Sequence, residues 1–519
     1  MPSLTTLTRL VAEDGLDASA LVDRDWNDFS HVTATDEDLA AIETALGAYF
    51  ARHTMQELYD IACETNLMLA PCNSPREIYA SAQLAARDYF TDESPRMPRS
   101  FVTVTPGRPG HSAPRPTHSG RGAWEGTNIL EFGSGAAGPI ATRYFVEHGA
   151  TVLRIESPAR PDFLRVYALG PDNPHGLEGA PMYDGLNVGK RNVTMNLKHP
   201  AAVELARRLV VEWADAVEEN YAPRAMRGFG LDYETLAELK PDLVMISACL
   251  NGQTGPHRNY PGFGSQGAAL SGFNWLTGWP DREPVGPHAT ITDSLAPRFV
   301  STALAAGLLH HRRTGEGVYM DLSQVEAGIY TNSAWLLDYE IDGVIGTRMG
   351  NRSPRAVPHG AFPCSGDDRW VAIACWSDDE WARLAGVLGV DDPALATFAG
   401  RQERIDDVEA RVSGWTAGRS REEVVDTLQP LGIEAVPVQD FADLNDDPQL
   451  LHREHFVPLT HPFMGPGLYE RNGFRLSDAE GGHDRAGPTF GQDNDWVLGE
   501  LLGLSPEEQE KLAADGAFD

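Results

Sequence analysis

Short apolar runs alternate with amphipathic, helix-forming stretches through the middle of the chain. Asn128–Phe132, Thr151–Ile155 and Asn192–Leu197 have the length and aliphatic content of buried strands. Pro139–His148, between the first two, has a helical pattern. Strands that alternate with helices are typical of a largely parallel sheet covered by helices on both faces. The sequence therefore predicts an α/β fold for this region.

The alternation continues and then changes character. The later elements of the first region are predicted at Ala201–Trp213, Ala216–Glu219, Tyr233–Leu239, Leu243–Ala248, Ser294–Arg312 and Val318–Leu322. From Gly350 onward a strand at Trp370–Cys375 precedes a series of helices, which predicts a smaller α+β domain. We expect a large domain over residues 123–335, a small domain over 336–456, and a return to the large domain over 457–519.

Residues 105–122 have the composition of a linker, with no apolar periodicity among their Ser, His and Arg residues. The prolines and glycines of this stretch include Pro106, Gly107, Pro109, Gly110, Pro114 and Pro116. The predicted linker separates an N-terminal segment, residues 1–104, from everything that follows.

Part of the N-terminal segment recurs near the other end of the chain. Residues 51–90 match residues 417–456 without gaps, at a constant spacing of 366 positions. The identical pairs are Ala51 with Ala417, Glu57 with Glu423, Asp60 with Asp426, Pro71 with Pro437, Gln83 with Gln449, Leu84 with Leu450, Arg87 with Arg453, and Phe90 with Phe456. Chance similarity between helical segments is the alternative explanation. We favour a duplicated supersecondary unit.

Charge and composition exclude several classes of protein. The chain has 42 Lys and Arg against 75 Asp and Glu, and this net charge of −33 disfavours nucleic acid and anionic membranes as partners. Its five cysteines lack the paired spacing of a metal site and are expected to be free thiols. Neither a basic leader nor an apolar run of membrane-spanning length is present. We expect a cytoplasmic, soluble protein without a bound metal.

A Gly-rich turn joins the first predicted strand to the first predicted helix. Gly133, Gly135 and Gly138 form G-x-G-x-x-G, and Glu156 ends the next strand. This arrangement fits a dinucleotide site, in which the glycines approach the phosphates and the acid accepts a ribose hydroxyl. Pro139 after the third glycine argues against that interpretation, as does the frequency of Gly-rich turns in general. An NAD-type oxidoreductase remains an alternative.

Six motifs in series carry a resemblance to a known family. They are Ala137-Gly138-Pro139, His148–Glu156, Asn187–Arg191, Val217–Tyr221, Gly252–Pro256 and Arg313–Gly317. This series resembles the family III CoA-transferases, which include formyl-CoA and carnitine CoA-transferases and the α-methylacyl-CoA racemases. The resemblance extends from about Asn128 to the C-terminus. It implies a Rossmann-like large domain, a smaller domain, and an interlocked homodimer, with a hetero-oligomer as the alternative.

The resemblance implies that Asp293 is a catalytic nucleophile. In the family, the attacking aspartate follows a Pro-Gly-aromatic element by about thirty residues, and here Pro261-Gly262-Phe263 precedes Asp293 at that distance. Without the resemblance, an Asp before Ser-Leu-Ala is an ordinary helix N-cap. The two roles are compatible, because a helix N-terminus stabilises a carboxylate.

A carboxylate suits CoA transfer because it can itself become an activated acyl group. The expected substrates are an acyl-CoA thioester and a carboxylic acid, with no tightly bound cofactor. The family's racemases have a His where this chain has Phe263, and Phe cannot accept a proton. This difference argues against an acyl-CoA racemase or isomerase, which is kept as the alternative. A non-catalytic CoA-binding subunit is a third hypothesis, which the presence of Asp293 disfavours.

The resemblance also implies a set of substrate and CoA contacts. These residues are Ala136, Ala137, Gly138, Arg154, Lys190, Arg191, Asn220, Arg224, Arg227 and Phe263. The family usually has basic residues near Ala222 and Gly228, so Arg224 and Arg227 are the expected substitutes for phosphate binding. Ala136 replaces a Gln of formyl-CoA transferase, which argues against formate or oxalate as substrates. The loops at 350–352 and 358–360 resemble the small-domain loop that faces the active site in the family.

Overall fold

The computed structural model describes residues 2–22, 24–26, 29, 33–109, 122–167, 173–287 and 290–519. The chain forms two compact units. The first consists of Met1–Trp275, Val285–Gly346 and His455–Asp519, and the second of Leu276–Pro284 and Thr347–Glu454. Across the described ranges, none of the helices combines the length and apolarity that a bilayer crossing requires.

A seven-stranded sheet lies at the centre of the first unit. Its strands are β1 Thr103–Pro109, β2 Asn128–Phe132, β3 Thr151–Glu156, β4 Arg191–Thr194, β5 Ala216–Glu219, β6 Val244–Cys249 and β7 Glu316–Ser323. Their order in the sheet is β1-β7-β6-β5-β2-β3-β4. Strands β2 to β7 are parallel to one another, and only β1 is antiparallel. Counted from β2, the parallel strands have the order 3-2-1-4-5-6, which reverses direction between β2 and β5, where α/β proteins commonly bind ligands.

The parallel strands are buried on both faces, and their mostly apolar sequences are interrupted by buried charged residues such as Glu131 and Arg154. Successive side chains point to opposite sides, so that Leu130 and Leu153 enter one core cluster while Ile129 and Val152 enter another. The helices of this unit before residue 345 are α1 Pro2–Glu13, α2 Ser19–Val22, α3 Asp36–Phe50, α4 Met55–Thr65, α5 Pro75–Tyr79, α6 Ala82–Ala86, α7 Ala137–Glu147, α8 Phe163–Val166, α9 Pro181–Leu186, α10 Pro200–Arg208, α11 Pro223–Phe229, α12 Tyr233–Leu239, α13 Gly264–Leu270, α14 Phe273–Leu276, α15 Ile291–Thr314, α16 Gln324–Thr331 and α17 Ser333–Asp342. A π-helical turn, Leu209–Trp213, extends α10, and a 3₁₀ turn forms at Gly176–Glu178.

The predicted linker needs a correction at its start. Residues 105–109 belong to β1, which pairs antiparallel with β7 and has a register shift between Pro106 and Pro109. β1 is an edge strand, and proline is tolerated at an edge because no neighbouring strand requires its N–H. Residues 110–121 of the predicted linker lie outside the described residues. Strand β4 also ends at Thr194, three residues before the predicted end.

The second unit is an α+β assembly around a three-stranded antiparallel sheet. The strands are β8 His359–Pro363, β9 Trp370–Ala374 and β10 Glu434–Pro437, with β9 in the centre. The helices are α18 Asp378–Leu388, α19 Phe398–Glu403, α20 Ile405–Thr416, α21 Arg421–Leu428, α22 Phe441–Asp446 and α23 Pro448–His452, with 3₁₀ turns at Pro393–Leu395 and Gln429–Leu431. Val371, Ile373, Trp381 and Val412 lie in its buried core.

Both ends of the chain belong to the first unit. The C-terminal part contains the hairpin β11 Phe456–His461 and β12 Gly465–Glu470, a π-helical segment Asp495–Leu501, and α24 Pro506–Ala514. Val497 and Leu498 enter the same core cluster as Leu130, so this part completes one face of the sheet.

Candidate active site

Asp293 lies in the first turn of the long helix α15. The helix begins at Ile291 after the N-cap residue Thr290, so Asp293 lies inside the helix. It is therefore not the N-cap that its position before Ser-Leu-Ala suggests. The Asp293 carboxylate is half-buried and accepts a hydrogen bond of 3.2 Å from the backbone N–H of Gly264. A Cβ atom on Gly264 would lie 2.5 Å from the Asp293 Oδ2 atom, so the close approach requires glycine.

The surroundings of Asp293 disfavour its charged form. Burial raises the pKa of Asp293, although hydrogen bonds from the Thr290 side chain and the Gly264 N–H act in the opposite direction. The N-terminal turn of α15 adds a favourable helix dipole for a negative charge. The carboxylate is thus poorly solvated but held by specific donors, which suits a nucleophile.

Two aromatic rings connect the segment before Gly264 to the Gly-rich turn. Phe263 directly precedes Gly264, and its side chain remains 49% exposed. Its ring centroid is 5.1 Å from that of Phe163, which in turn packs on Gly135 of the Gly-rich turn. The structure therefore brings Phe263, Asp293 and the Gly-rich turn into one neighbourhood.

The Gly-rich turn is held from the neighbouring strand. Asn220, after β5, accepts a hydrogen bond from the Ser134 N–H and donates one to the Ser134 carbonyl oxygen, both at 2.9 Å. This pair spans the point between β2 and β5 where the strand order reverses. Ala136 is half-buried, and the backbone from Ala137 onward begins α7. Asn220 therefore positions the turn that contains three of the predicted contact residues.

Arg154 and Lys190 are not placed as the predicted CoA contacts require. Both side chains are fully buried, and both form ion pairs with Glu131, at 2.6 and 2.8 Å. Arg154 also donates to the Gly133 carbonyl oxygen, and Lys190 to that of Pro139, each at 2.8 Å. Burial lowers the pKa of Lys190 to about 8. These buried cations hold the two ends of the Gly-rich turn.

The other predicted cations are accessible to different degrees. Arg224 and Arg227 lie exposed on α11, the helix that follows β5. Arg191 is paired with Asp493 at 2.8 Å and lies over the Trp496 ring. Arg224 and Arg227 are therefore the better placed of the predicted cations to meet a phosphate.

Two buried acids at the end of β5 did not emerge as candidates from the sequence. Burial raises the pKa of Glu219 to about 7, and its carboxylate accepts hydrogen bonds from the Tyr221 N–H and from Gln253. Burial raises the pKa of Glu218 well above its usual range, and neither of its carboxylate oxygens has a hydrogen-bond partner among the described residues. Adjacent acids in a buried strand were the available signal, since charge at such positions is unusual.

Glu156 does not support the dinucleotide interpretation. Its carboxylate is buried and paired with Arg165 at 2.8 Å, and it accepts further hydrogen bonds from Tyr183 and Asn192. An acid engaged in this way has no oxygen directed at a ribose. No cluster of three or more His, Cys, Asp or Glu side chains suited to a metal ion occurs in the part of the chain that the structure describes.

The second unit contains a cavity of its own, of about 400 Å³. The loops at 350–352 and 358–360 contribute Asn351, Arg352, His359 and Gly360 to its lining. Arg352 is paired with Asp406 and Glu409, and His359 hydrogen bonds to the Asn351 carbonyl oxygen.

Comparison with known proteins shows where the chain belongs. The succinyl-CoA–D-citramalate CoA-transferase of Chloroflexus aurantiacus is 30% identical over 391 residues, which cover 74% of this chain and 96% of that protein. The crystal structure of a CAIB/BAIF family protein from Brucella suis superimposes with a TM-score of 0.67 at 29% identity, covering 74% of this chain and all of that one.

A longer relative matches more of the chain. A probable CoA-transferase of Mycobacterium tuberculosis is 28% identical over 506 residues, which cover 89% of this chain but 62% of that protein. Residues 123–519 are about three quarters of the chain, so this alignment extends into the N-terminal segment. The sequence pattern of CoA-transferase family III matches residues 124–494. The chain belongs to CoA-transferase family III and is an enzyme of that type.

Proposed function

We propose that this enzyme moves CoA from an acyl-CoA donor to a carboxylic acid acceptor, with Asp293 as the attacking carboxylate. One observation carries the proposal: a half-buried carboxylate with a raised pKa in the first turn of α15, in contact with the N–H of Gly264, the residue that follows Phe263. CoA is a substrate in this reaction and not a resident cofactor.

The proposed reaction conserves the energy of the thioester. A carboxylate oxygen of Asp293 attacks the thioester carbonyl of the donor, the C–S bond breaks, and a mixed anhydride and a CoA thiolate result. The thiolate then attacks the Asp293 carbonyl carbon and releases the donor acid as a carboxylate. An aspartyl-CoA thioester remains on the enzyme. The acceptor carboxylate attacks this thioester, and the same two steps run in reverse to give the new acyl-CoA.

The neighbourhood of Asp293 suits this chemistry. The packed rings of Phe263 and Phe163 are proposed to limit access of water to Asp293 when the substrate is bound, since water would hydrolyse the anhydride. The Gly264 N–H is a preorganised donor for negative charge at the Asp293 oxygen. The half-buried Ala136 and the first residues of α7 are proposed to contact the acyl group near the reacting carbon.

Arg224 and Arg227 are proposed to bind the phosphates of CoA, because both are exposed beside the reversal of strand order at which α/β proteins bind nucleotides. We also propose that the large domain is Rossmann-like, which the strand order supports. We further propose that two chains interlock to form the assembly.

Trapping of the covalent intermediate tests the proposal. The enzyme is incubated with succinyl-CoA, and then with D-citramalate as one member of a panel of acceptor acids. Hydroxylamine added during turnover should convert Asp293 to a hydroxamate, which peptide mass spectrometry detects. Asp293→Asn should show neither label nor exchange. Asp36→Asn, in the first turn of α3, is a matched control that should retain both.

Normal exchange by Asp293→Asn would refute the proposal. Uptake of solvent deuterium at the α-carbon of an acyl-CoA, without any acceptor acid, would instead indicate a racemase.

A further inference from the structure

Residues 67–73 of the N-terminal segment lie against the start of α13. The Tyr260 hydroxyl donates a hydrogen bond to the Leu69 carbonyl oxygen at 2.8 Å. The Gln266 side-chain amide donates to the Met68 carbonyl oxygen at 3.3 Å. The Pro-Gly-aromatic element of the candidate active site lies between these two side chains in the sequence. The N-terminal segment therefore reaches the candidate active site.

A short series of contacts connects Met68 with the proposed nucleophile. The Gln266 side-chain oxygen accepts a hydrogen bond from the Phe263 N–H at 3.0 Å, while its amide binds the Met68 carbonyl oxygen. The next N–H along the chain, that of Gly264, donates to the Asp293 carboxylate. Gln266 thus bridges the backbone of Met68 and the backbone that approaches the reacting carboxylate.

Residues 67–73 are held in place at both ends. Before them, the Tyr59 ring of α4 packs edge-to-face on the Tyr260 ring, with the centroids 5.1 Å apart. After them, the backbone N–H and the side-chain amide of Asn73 donate to two carbonyl oxygens of α13, at 3.1 and 3.0 Å. A segment fixed in this way is preorganised, so a ligand that binds against it does not have to order it first.

These contacts use the backbone of Met68 and leave its side chain accessible. Met68 is 45% exposed, and Phe263, which shares the Gln266 contact, is 49% exposed. Ligand sites are lined predominantly by apolar side chains, with a few polar groups that fix orientation. A methionine suits such a lining because its flexible, unbranched thioether adapts to chains of different shape.

The repeat at a spacing of 366 positions shows what is particular to this stretch. The helices on either side of it begin at equivalent positions in residues 51–90 and 417–456. Their matching N-caps are Thr54 with Ser420, Ser74 with Asp440, and Ser81 with Asp447. Between the helices, Glu434–Pro437 forms β10 and pairs with β9, whereas its counterpart, residues 68–71, pairs with no strand in the ranges that the structure describes. The N-terminal copy therefore uses this stretch for contacts with Tyr260 and α13 instead of for a sheet.

We propose that Met68 is a substrate-binding residue, whose side chain contacts the chain on one side of the thioester that reacts at Asp293. The N-terminal segment, which lies outside the family match over residues 124–494, then forms part of the active site. The contacted chain is the acyl group or the pantetheine arm of CoA, both of which contain methylene groups that a thioether can pack against. This inference rests on the proposed function, since it takes Asp293 as the site of reaction.

Variants of Met68 test the contact in the full-length enzyme. Met68→Ala removes the side chain beyond Cβ, Met68→Gln replaces the thioether with an amide, and both retain the carbonyl oxygen that Gln266 binds. We expect kcat/KM for succinyl-CoA to fall about tenfold, the scale of a lost apolar substrate contact. The melting temperature should change little, because Met68 is exposed.

Met55→Ala and Met55→Gln are the matched controls. Met55 is 41% exposed and is the first residue of α4, a helix about 15 Å long that ends before Met68. Both controls should keep the kcat/KM of the wild type. An unchanged kcat/KM in both Met68 variants, or an equal loss in the Met55 variants, would overturn the proposal.

A truncated donor identifies which chain Met68 contacts. S-succinyl-N-acetylcysteamine retains the acyl group but lacks the nucleotide and most of the pantetheine arm. A loss of kcat/KM in Met68→Ala that persists with this donor supports a contact with the acyl group. A loss confined to succinyl-CoA supports a contact with the pantetheine arm.

Binding to an inactive enzyme separates this inference from the proposed function. Asp293→Asn should not turn over, so calorimetry measures its Kd for succinyl-CoA directly. Addition of Met68→Ala to this variant should raise that Kd about tenfold. An unchanged Kd would overturn the Met68 contact even if Asp293 is labelled during turnover. Normal exchange by Asp293→Asn, with a Kd that Met68→Ala still raises, would refute the nucleophile and support the binding role of Met68.

Discussion

Replacement of Gly264 by alanine should separate the position of the Asp293 carboxylate from its chemical identity. The new Cβ would lie 2.5 Å from Asp293 Oδ2 and 2.6 Å from the Thr290 Cβ, so the carboxylate has to move by about 1 Å to reach an ordinary van der Waals distance. A displacement of this size at a reacting group costs about 100-fold in rate. The 3.2 Å hydrogen bond from the Gly264 N–H, of a kind worth about 1.5–3 kcal/mol to a charged acceptor, is weakened as well.

The assay is the steady-state exchange of CoA between two acids, together with labelling of Asp293 by hydroxylamine. We expect kcat of Gly264→Ala to fall at least 100-fold while the melting temperature drops modestly, since overpacking costs about 1–3 kcal/mol. Gly414→Ala is the matched control, because a Cβ there meets no atom within 4 Å and the site lies within helix α20. A kcat for Gly264→Ala within threefold of the wild type would refute the importance of this contact.

Two further predictions concern the carboxyl edge of β5. Burial raises the pKa of Glu219 from 4.5 to about 7, so the folded state retains a proton that the unfolded state releases, and stability from this group falls as pH rises between those values. The free energy of unfolding of Glu219→Gln, relative to that of the wild type, should therefore rise by up to about 3 kcal/mol between pH 4.5 and pH 8. Thermal or denaturant unfolding measures this difference, and a difference that does not depend on pH would contradict the prediction. The double variant Arg224→Ala/Arg227→Ala should raise KM for acyl-CoA about tenfold, with little change in kcat or in KM for the acid. The control variant Arg9→Ala in α1 should change none of these constants. An unchanged KM for acyl-CoA in the double variant would exclude these residues as phosphate ligands.

Much of the α/β region could be predicted from the sequence because its signals are local. Asn128–Phe132 is a strand in which every residue after Asn128 is buried, and the strand that begins at Thr151 ends within one residue of its predicted boundary. Such runs arise where a parallel strand is covered on both faces, and they need no knowledge of the partner strands. The order of the strands could not be obtained in this way, because it depends on contacts between distant segments.

The edge strand β1 shows how composition misleads. Pro106 and Pro109 are typical of a linker, yet the backbone that contains them pairs with β7. Proline loses nothing at an edge position whose N–H has no partner strand. Whether a proline-rich segment adds to an existing edge depends on the exposed side of β7, which the local sequence does not describe.

The position of Asp293 was predicted from the family resemblance, but the contact that constrains it was not. Gly264 is the residue after Pro261-Gly262-Phe263, and nothing in that order of residues indicates that a carboxylate 29 positions later approaches its backbone. Phe163, which joins the Gly-rich turn to Phe263, was likewise absent from the predicted contacts. Side chains that meet across different elements leave no periodic signal in a single sequence.

Arg154 and Lys190 show why a cation in a family motif need not touch the ligand. An isolated buried charge is strongly unfavourable. The Glu131 carboxylate forms ion pairs with both cations at less than 3 Å, so the three buried charges compensate one another in one network. The same cations donate to the carbonyl oxygens of Gly133 and Pro139, so the network fixes the turn whose backbone begins α7. Substitution of either cation would therefore be expected to destabilise the fold before it altered CoA affinity. If the phosphates of CoA are recognised by side chains, the charge has to come from arginines that remain in water until the substrate arrives, and Arg224 and Arg227 meet that condition.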